Sequence, residues 1–323
     1  MRKITVVVPV LTQAQRERLR EKAAGYGFEA AFFEDNRSAY KDAADAEIIY
    51  GQGRDLAKAG RALKWMCTTS AGVDMYCRDG VFRSEDVMLT NSKGSYGVTI
   101  SEHIIMVTLM LLRKQLTYAA LIRERKWEQK LPITSILGSR VTIVGTGNIG
   151  SEAAKRFRAF SPACIIGVNR SGKIADEHAH LFDRITVSEN LKEILPETDI
   201  LVLCVPGTAS TTQMIDTEAL SVINPDAVLI NVGRGNSVDQ QALMEALRGG
   251  RLKAAALDVF EKEPIPQDDP IWDCPNLLIT THTSGNMSLP WTVEENLNLF
   301  LEDLDNYANG RKLARLIDRK VGY

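Results

Sequence analysis

Three ionisable residues in the second half of the chain stand just behind short apolar runs: Arg234 in VLINVGRG, Glu263 in ALDVFEKEP and His282 in LLITTHT. A guanidinium offers paired donors to a carboxylate or a carbonyl oxygen. A histidine exchanges protons near neutral pH, and a carboxylate can hold it in one orientation. Such residue types can hold an anionic or polar group and exchange a proton with it. Singly, each has a plainer reading, as a loop cation, an acidic residue before Pro264 or a turn histidine. Upstream, VTIVGTGNIG spaces Gly145, Gly147 and Gly150 as GxGxxG, directly after an apolar run and at the start of a helical pattern. In that setting the first glycine makes a tight turn, the second lets backbone approach a pyrophosphate and the third lets the helix pack closely. The helix start, with Thr146, Asn148 and Ile149 among the glycines, then faces the anion.

The next apolar run, CIIGV, ends where an Asp or Glu would hydrogen-bond the ribose 2′-hydroxyl of NAD. This chain has Asn169, Arg170, Ser171 and Lys173 there. Their donors and positive charge suit a 2′-phosphate, so NADP is the expected cofactor, with NAD as the alternative.

Such residues work only if strands end side by side, and the chain has that rhythm. ITVVVP, QAQRERLREKAA, FEAAFF, EIIY, a helix near 54–61 and KWMCTTS alternate short β-rich runs with helical stretches, followed by VMLT and a long apolar helix over 100–116. From Arg140 the alternation restarts and runs through VTIVG, CIIGV, RITV, DILVLCV, AVLIN, KAAALDV and NLLIT. Parallel strands joined by helical crossovers account for both halves. A last helix, over 289–309, is expected to return to the first domain with the C-terminal tail. The expected boundaries are 1–98 plus 289–323 for one domain and 99–288 for the other.

Composition narrows the partners. The 323 residues are 45% apolar and 25% charged with a net charge of −2, which gives no electrostatic reason to expect nucleic acid or an anionic membrane surface. The opening MRKITVVVPV reads as a strand, and the longest apolar run, from Ile104 to Leu112, is nine residues, too short to span a bilayer. Five cysteines without a CxxC pair suit a reducing compartment, so cytoplasm is expected. His178 and His180 have no neighbours that complete a metal set, and no metal is expected. The apolar segment IIMVTLMLL exceeds what one core face needs, which points to a homodimer.

In order along the chain, SAGVD (70–74), SEH (101–103), GTGNIG, VGRG, DVFEKEP and the histidine segment resemble the D-isomer-specific 2-hydroxyacid dehydrogenase family over nearly the whole chain. The resemblance implies a Rossmann dinucleotide-binding domain and a smaller, flavodoxin-like substrate domain, both doubly wound α/β units. It implies an NAD(P)-dependent oxidoreductase that reduces a small 2-keto acid to the D-2-hydroxy acid. Arg234, Glu263 and His282 form the catalytic set: Arg234 holds the substrate carboxylate or keto oxygen, His282 protonates that oxygen, and Glu263 orients His282. The loop of Ala71, Gly72 and Val73 takes the substrate carboxylate through its amides. Asp258 faces the nicotinamide carboxamide, while Thr99, Val205, Pro206, Val232 and Gly233 line the cofactor cleft. Closure about a hinge near Val98 and Ser288 excludes water, and Tyr96, Met287, Leu289 and Trp291 contribute pocket walls. His103 belongs to a helix start, and Trp127 matches a family position where packing is the expected role.

Two departures stand out. Thr281 precedes His282 where the family commonly has proline, so a less rigid loop is expected. The missing acidic residue after CIIGV, and the ending LIDRKVGY, draw the resemblance toward the NADP-using glyoxylate/hydroxypyruvate reductase-like members. The alternatives are an NAD(H)-sensing, non-enzymatic regulator of the same fold and a dehydrogenase of another small acid such as phosphite; a formate enzyme would carry glutamine in place of Glu263.

Overall fold

The computed structural model describes residues 2–320 and 322, so Met1 and, in the LIDRKVGY ending, Val321 and Tyr323 lie outside the described residues. The chain divides into two compact units, Met1–Tyr96 with Asn286–Tyr323, and Gly97–Gly285.

The first unit runs β1 (Arg2–Val7), α1 (Gln13–Gly25), β2 (Phe28–Phe32), α2 (Asn36–Ala43), β3 (Ile48–Gly51), α3 (Arg54–Ala59), β4 (Trp65–Cys67) and β5 (Met88–Thr90). Its five strands are all parallel in the order β2-β1-β3-β4-β5, the flavodoxin-like order. Strands β3 and β4 are buried along their whole length, as apolar runs covered by helices on both faces must be. A capping box sets the start of α1: Thr12 Oγ1 accepts from the Gln15 amide at 3.3 Å and Gln15 Oε1 accepts from the Thr12 amide at 2.9 Å. The helix α2 is absent from the sequence expectation. It buries only Ala39 and Ala43, too narrow an apolar stripe to register, and its start is fixed by Asp35 accepting from the Ser38 amide.

The second unit runs α4 (Gly97–Leu112), α5 (Gln115–Arg123), β6 (Arg140–Val144), α6 (Asn148–Arg158), β7 (Cys164–Asn169), α7 (Asp176–Ala179), β8 (Arg184–Val187), α8 (Leu191–Ile194), β9 (Ile200–Leu203), α9 (Thr217–Val222), β10 (Val228–Asn231), α10 (Gln240–Arg248), β11 (Ala254–Leu257) and β12 (Leu277–Ile279). The seven parallel strands lie in the order β12-β11-β10-β9-β6-β7-β8. The winding reverses between β6 and β9, and open parallel sheets bind ligands beyond the carboxyl ends of the strands at such a reversal. Finally α11 (Pro290–Ala308) belongs to the first unit. Its fully buried Phe300 stacks on Tyr50, with ring centroids 4.1 Å apart, and on Trp65 at 5.3 Å. Burial of a side chain of this size contributes about 1.5–3 kcal/mol.

Two expectations need correction. The single helix over 100–116 is two helices: α4 stops at Leu112, Lys114 adopts a left-handed φ of 56°, and α5 resumes at an angle of 63°. The polar run Arg113, Lys114, Gln115 interrupts the apolar stripe, so nothing holds the helix straight. Trp127, expected to pack, is 88% exposed, because it lies in a stretch after α5 without helix or strand. No single helix among the described residues is long and apolar enough to cross a membrane.

Candidate active site

The three motif glycines serve different ends. Gly145 has φ of 100°, and a Cβ there would lie 2.6 Å from the Cys204 carbonyl oxygen at the end of the neighbouring strand β9. A Cβ on Gly150 would lie 1.9 Å from the Gly145 carbonyl oxygen. Packing within the protein therefore demands both. A Cβ on Gly147 would meet nothing within 4 Å. The space it would fill is left open at the start of α6, whose cap makes no side-chain hydrogen bond and whose first turn carries no acidic residue. Bare helix amides beside that open cradle fit the pyrophosphate of a dinucleotide. Thr146 and the Asn148, Ile149 pair lie in the loop and first turn, and half-buried Thr99 in the first turn of α4.

Past β7, Asn169 organises the turn that carries the positive charge. Its Oδ1 accepts from the amides of Ser171 at 3.0 Å and Gly172 at 2.7 Å, while its Nδ2 donates to Thr146 Oγ1 at 2.7 Å and the Lys173 carbonyl at 2.8 Å. The Asn169 amide thus ties this turn to the glycine loop. Arg170, Ser171 and Lys173 stay exposed on it, at the position where an adenine ribose substituent is read.

Arg234 follows β10 between two glycines that the fold requires. A Cβ on Gly233 would lie 2.6 Å from the Val205 carbonyl oxygen, and one on Gly235 would lie 1.9 Å from the Phe260 carbonyl carbon. The segments past β9 and β11 therefore press on Arg234's backbone from both sides. Val232 is buried here, and exposed Pro206 follows Val205. Fully buried Asn231 fixes the turn, accepting from the Gly233 amide at 3.0 Å and donating to the Arg234 carbonyl at 2.9 Å. The guanidinium is half-buried and donates through Nη1 to the Gly233 carbonyl at 2.8 Å.

Glu263 and His282 meet. Glu263 Oε2 lies 2.7 Å from His282 Nδ1, and Oε1 accepts from the Phe260 amide at 2.9 Å. One carboxylate oxygen anchors to backbone while the other holds the imidazole. With Nδ1 donating to the carboxylate, Nε2 is the ring nitrogen that remains for a substrate oxygen. The His282 side chain is 51% exposed, so water and small molecules reach it.

Asp258, 1% exposed at the end of β11, shapes the turn that bears His282. Its carboxylate accepts from Thr280 Oγ1 at 2.6 Å and from the amides of Thr283 at 2.9 Å and Ser284 at 3.1 Å. Its carbonyl accepts from the His282 amide at 2.8 Å. His282 has a left-handed φ of 56°, a conformation costing about 1–2 kcal/mol for a residue with a Cβ. Burial by itself pushes the Asp258 carboxyl up, but the hydrogen bonds from Ser284, Thr280 and the Thr283 amide outweigh it and hold the group below the usual carboxylate range. Asp258 therefore bonds to the turn on both sides of His282, at Thr280 and at the Thr283 and Ser284 amides. His103 on α4 backs the same turn, its Nε2 lying 3.3 Å from Thr280 Oγ1, and burial lowers its affinity for a proton.

In the first unit, the loop past β4 carries Ala71, Gly72 and buried Val73, and Asn91 past β5 donates to the Ala71 carbonyl at 2.7 Å. Tyr96 is buried, whereas Trp291 is 42% exposed at the start of α11. Sequence reasoning did not single out Asn91, Asn231 or the turn-building direction of Asp258. Asn231 and Asp258 both end apolar strands, which was a usable signal; Asn91 gains its meaning only from β5 lying beside β4.

Residues 105–284 match the family model for the D-isomer specific 2-hydroxyacid dehydrogenase, NAD binding domain. A glyoxylate/hydroxypyruvate reductase B of Pectobacterium atrosepticum is 31% identical over 249 residues, 74% of this chain and 76% of its own. Among solved structures, a D-isomer specific 2-hydroxyacid dehydrogenase family protein of Aeromonas salmonicida superposes with a TM-score of 0.86 at 31% identity, covering 98% of this chain and 99% of its own. An NADPH-dependent glyoxylate/hydroxypyruvate reductase of Sinorhizobium meliloti, solved with NADP and sulfate, gives a TM-score of 0.81 at 25% identity over the full length of both chains.

Proposed function

The chain belongs to the D-isomer specific 2-hydroxyacid dehydrogenases, NAD(P)-dependent oxidoreductases, and on that premise we propose that it reduces a small 2-keto acid of the glyoxylate or hydroxypyruvate kind to the D-2-hydroxy acid with NADPH. The observation that carries the catalytic part is the 2.7 Å pair of Glu263 and His282 on a turn built by Asp258.

A dinucleotide held in this site would supply the hydride for reduction of the keto carbon. Arg234 orients the substrate through its carboxylate or keto oxygen and offsets the negative charge that develops on that oxygen. His282 gives the proton from Nε2 to the same oxygen, while Glu263 accepts from Nδ1 and holds the ring in place. In oxidation His282 takes the proton back. The amides of Ala71, Gly72 and Val73 take the substrate carboxylate. The cradle at Gly147, with Thr146, Asn148, Ile149 and Gly150, takes the pyrophosphate, and Arg170, Ser171 and Lys173 take the 2′-phosphate. Thr99, Val205, Pro206, Val232 and Gly233 line the cofactor's path. Preference for NADPH is supported by the exposed turn held by Asn169, which has cations and a hydroxyl where a carboxylate would repel a phosphate.

The proposed assembly is a homodimer. In the second unit α5 has no buried residue, and Ile122 is 70%, Trp127 88% and Leu137 69% exposed, which leaves apolar surface for a second copy to cover. Gel filtration at the mass of one chain would remove the dimer. A cytoplasmic location is supported by five free cysteines, of which Cys67 and Cys274 are buried. The test of function is oxidation of NADPH and NADH with glyoxylate, hydroxypyruvate, pyruvate, phenylpyruvate and 2-ketopantoate, with His282→Ala alongside. Turnover that prefers NADPH and falls by about a hundredfold or more in the variant is expected. Cofactor binding without turnover of any keto acid would refute the assignment.

A further inference from the structure

The loop after β4 is held by its carbonyl groups. Ser92 Oγ donates to the Thr68 carbonyl at 2.8 Å, and Asn296 Nδ2 donates to that of Thr69 at 3.0 Å with the Tyr96 hydroxyl beside it. The Ser92 amide at 3.1 Å and Thr68 Oγ1 at 3.0 Å donate to the Ser70 carbonyl. Asn91 Nδ2 donates to the Ala71 carbonyl at 2.7 Å, and Ser70 Oγ to that of Gly72 at 2.8 Å. Each of the carbonyls from Thr68 to Gly72 is therefore occupied by a donor of the same unit. In a planar trans peptide the C=O and the following N–H point in opposite directions. Fixing the carbonyls of Ser70, Ala71 and Gly72 thus turns the amides of Ala71, Gly72 and Val73 to the other side of the loop. Among the described residues, none accepts a hydrogen bond from these three amides.

We propose that Asn91 and Ser70 are positioning residues for this reaction: by pinning the Ala71 and Gly72 carbonyls they aim the Gly72 and Val73 amides at the substrate carboxylate. The inference rests on the reading that these amides take that carboxylate. The chemistry of Asn91 leaves one orientation. Its Oδ1 accepts from the Lys93 amide at 3.2 Å, so its Nδ2 must face the Ala71 carbonyl, and the side chain is 5% exposed. A carboxylate of the same shape keeps the Lys93 contact and sets an oxygen against the carbonyl oxygen, which reverses the interaction. Ser70 does from within the loop what Asn91 does from β5's end, and its loss removes the bond to the Gly72 carbonyl and a longer contact, 3.3 Å, with Thr68 Oγ1, without setting a like charge against the loop.

The variants Asn91→Asp and Ser70→Ala are measured in the full chain with NADPH. Asn91→Asp raises both the KM for glyoxylate and the inhibition constant of oxalate by about tenfold or more, with kcat within about threefold of the parent and NADPH affinity unchanged; Ser70→Ala moves the same two constants by a smaller factor. A purely structural role would lower thermal stability and kcat without this selective loss. Unchanged constants for glyoxylate and oxalate in both variants, or a loss confined to kcat, overturn the proposal. Amide ¹H–¹⁵N resonances of Ala71, Gly72 and Val73 in the parent, titrated with oxalate beside NADPH, separate the two layers. If they do not move, the carboxylate reading has failed and the proposal with it. If they move and saturate at the same oxalate concentration in the parent and in both variants, only the positioning role has failed. Should Asn91→Asp not fold, Ser70→Ala alone carries the same outcomes.

Discussion

Replacing Asp258 by asparagine separates a residue that builds the histidine turn from one that binds cofactor. The parent carboxylate, 1% exposed, accepts from the Thr280 hydroxyl and the Thr283 amide on Oδ1 and from the Ser284 amide on Oδ2, and the Ser284 side chain also bonds to it. An amide of the same shape keeps one oxygen. Whichever way it turns, a buried donor faces its NH2 group: the Ser284 amide in one orientation, the Thr280 hydroxyl and Thr283 amide in the other. An unsatisfied buried donor costs about 1–3 kcal/mol, and the surviving bonds lose their charge assistance, so a loss of about 2–5 kcal/mol of stability is expected. That leaves a folded protein if the parent has the usual margin of about 5–15 kcal/mol. The left-handed backbone of His282 is then held less firmly, and a displacement of its ring costs kcat about ten- to a hundredfold. Urea unfolding and steady-state kinetics measure both. The sign with pH follows from the lowered affinity of the folded carboxyl for a proton: its stabilisation is present above the ordinary value of 3.8 and is lost as pH falls through the lower folded value, so parent and variant converge in acid. Unchanged stability together with a defect confined to the KM for NADPH would refute this account and assign Asp258 to the nicotinamide.

Glu263→Gln keeps an oxygen for the Phe260 amide but presents an NH2 group to His282 Nδ1, so kcat is expected to fall about ten- to a hundredfold with KM little changed; equal kcat in the variant would exclude a role in catalysis. Arg170→Ala combined with Lys173→Ala is expected to raise the KM for NADPH at least about tenfold and to leave that for NADH unchanged, as fluorescence titration of each dinucleotide will also report. Glu47 in the first unit is pushed down to about 2, first by its hydrogen bonds from Arg2, which donates at 2.8 and 3.1 Å. Its contribution is complete above its ordinary 4.5 and is lost as pH falls through about 2; after solvent screening it amounts to about 1–2 kcal/mol, so Glu47→Gln should destabilise the protein at neutral pH and much less at pH 2.

Position along a parallel strand was legible, and the direction a side chain faces was not. Arg234, Glu263 and His282 follow β10, β11 and β12, three neighbours in one sheet, so apolar runs that mark strand ends also mark where these residues gather. The same logic located Asn169 and Asp258, yet each turns inward, to the amides of 171–172 and of 283–284. The deciding feature is the number of backbone donors in a neighbouring tight loop that have no backbone acceptor of their own: a strand-end Asn or Asp within reach satisfies them and is no longer directed at a ligand. Asn91 is the complementary case, a donor taken up by a loop carbonyl, and it is visible only once β5 is known to lie against β4. Helix α2 and the break at Lys114 escaped for a different reason, since both depend on how little apolar surface a segment buries rather than on which polar residues it carries. A polar residue just past a strand is therefore a ligand to substrate or cofactor only after the loops on either side of it have had their hydrogen bonds counted. In this chain that count gives Asn91, Asn169 and Asp258 the task of holding loops in place, Asn91 the loop after β4, Asn169 the turn of 170–173 and Asp258 the turn that bears His282.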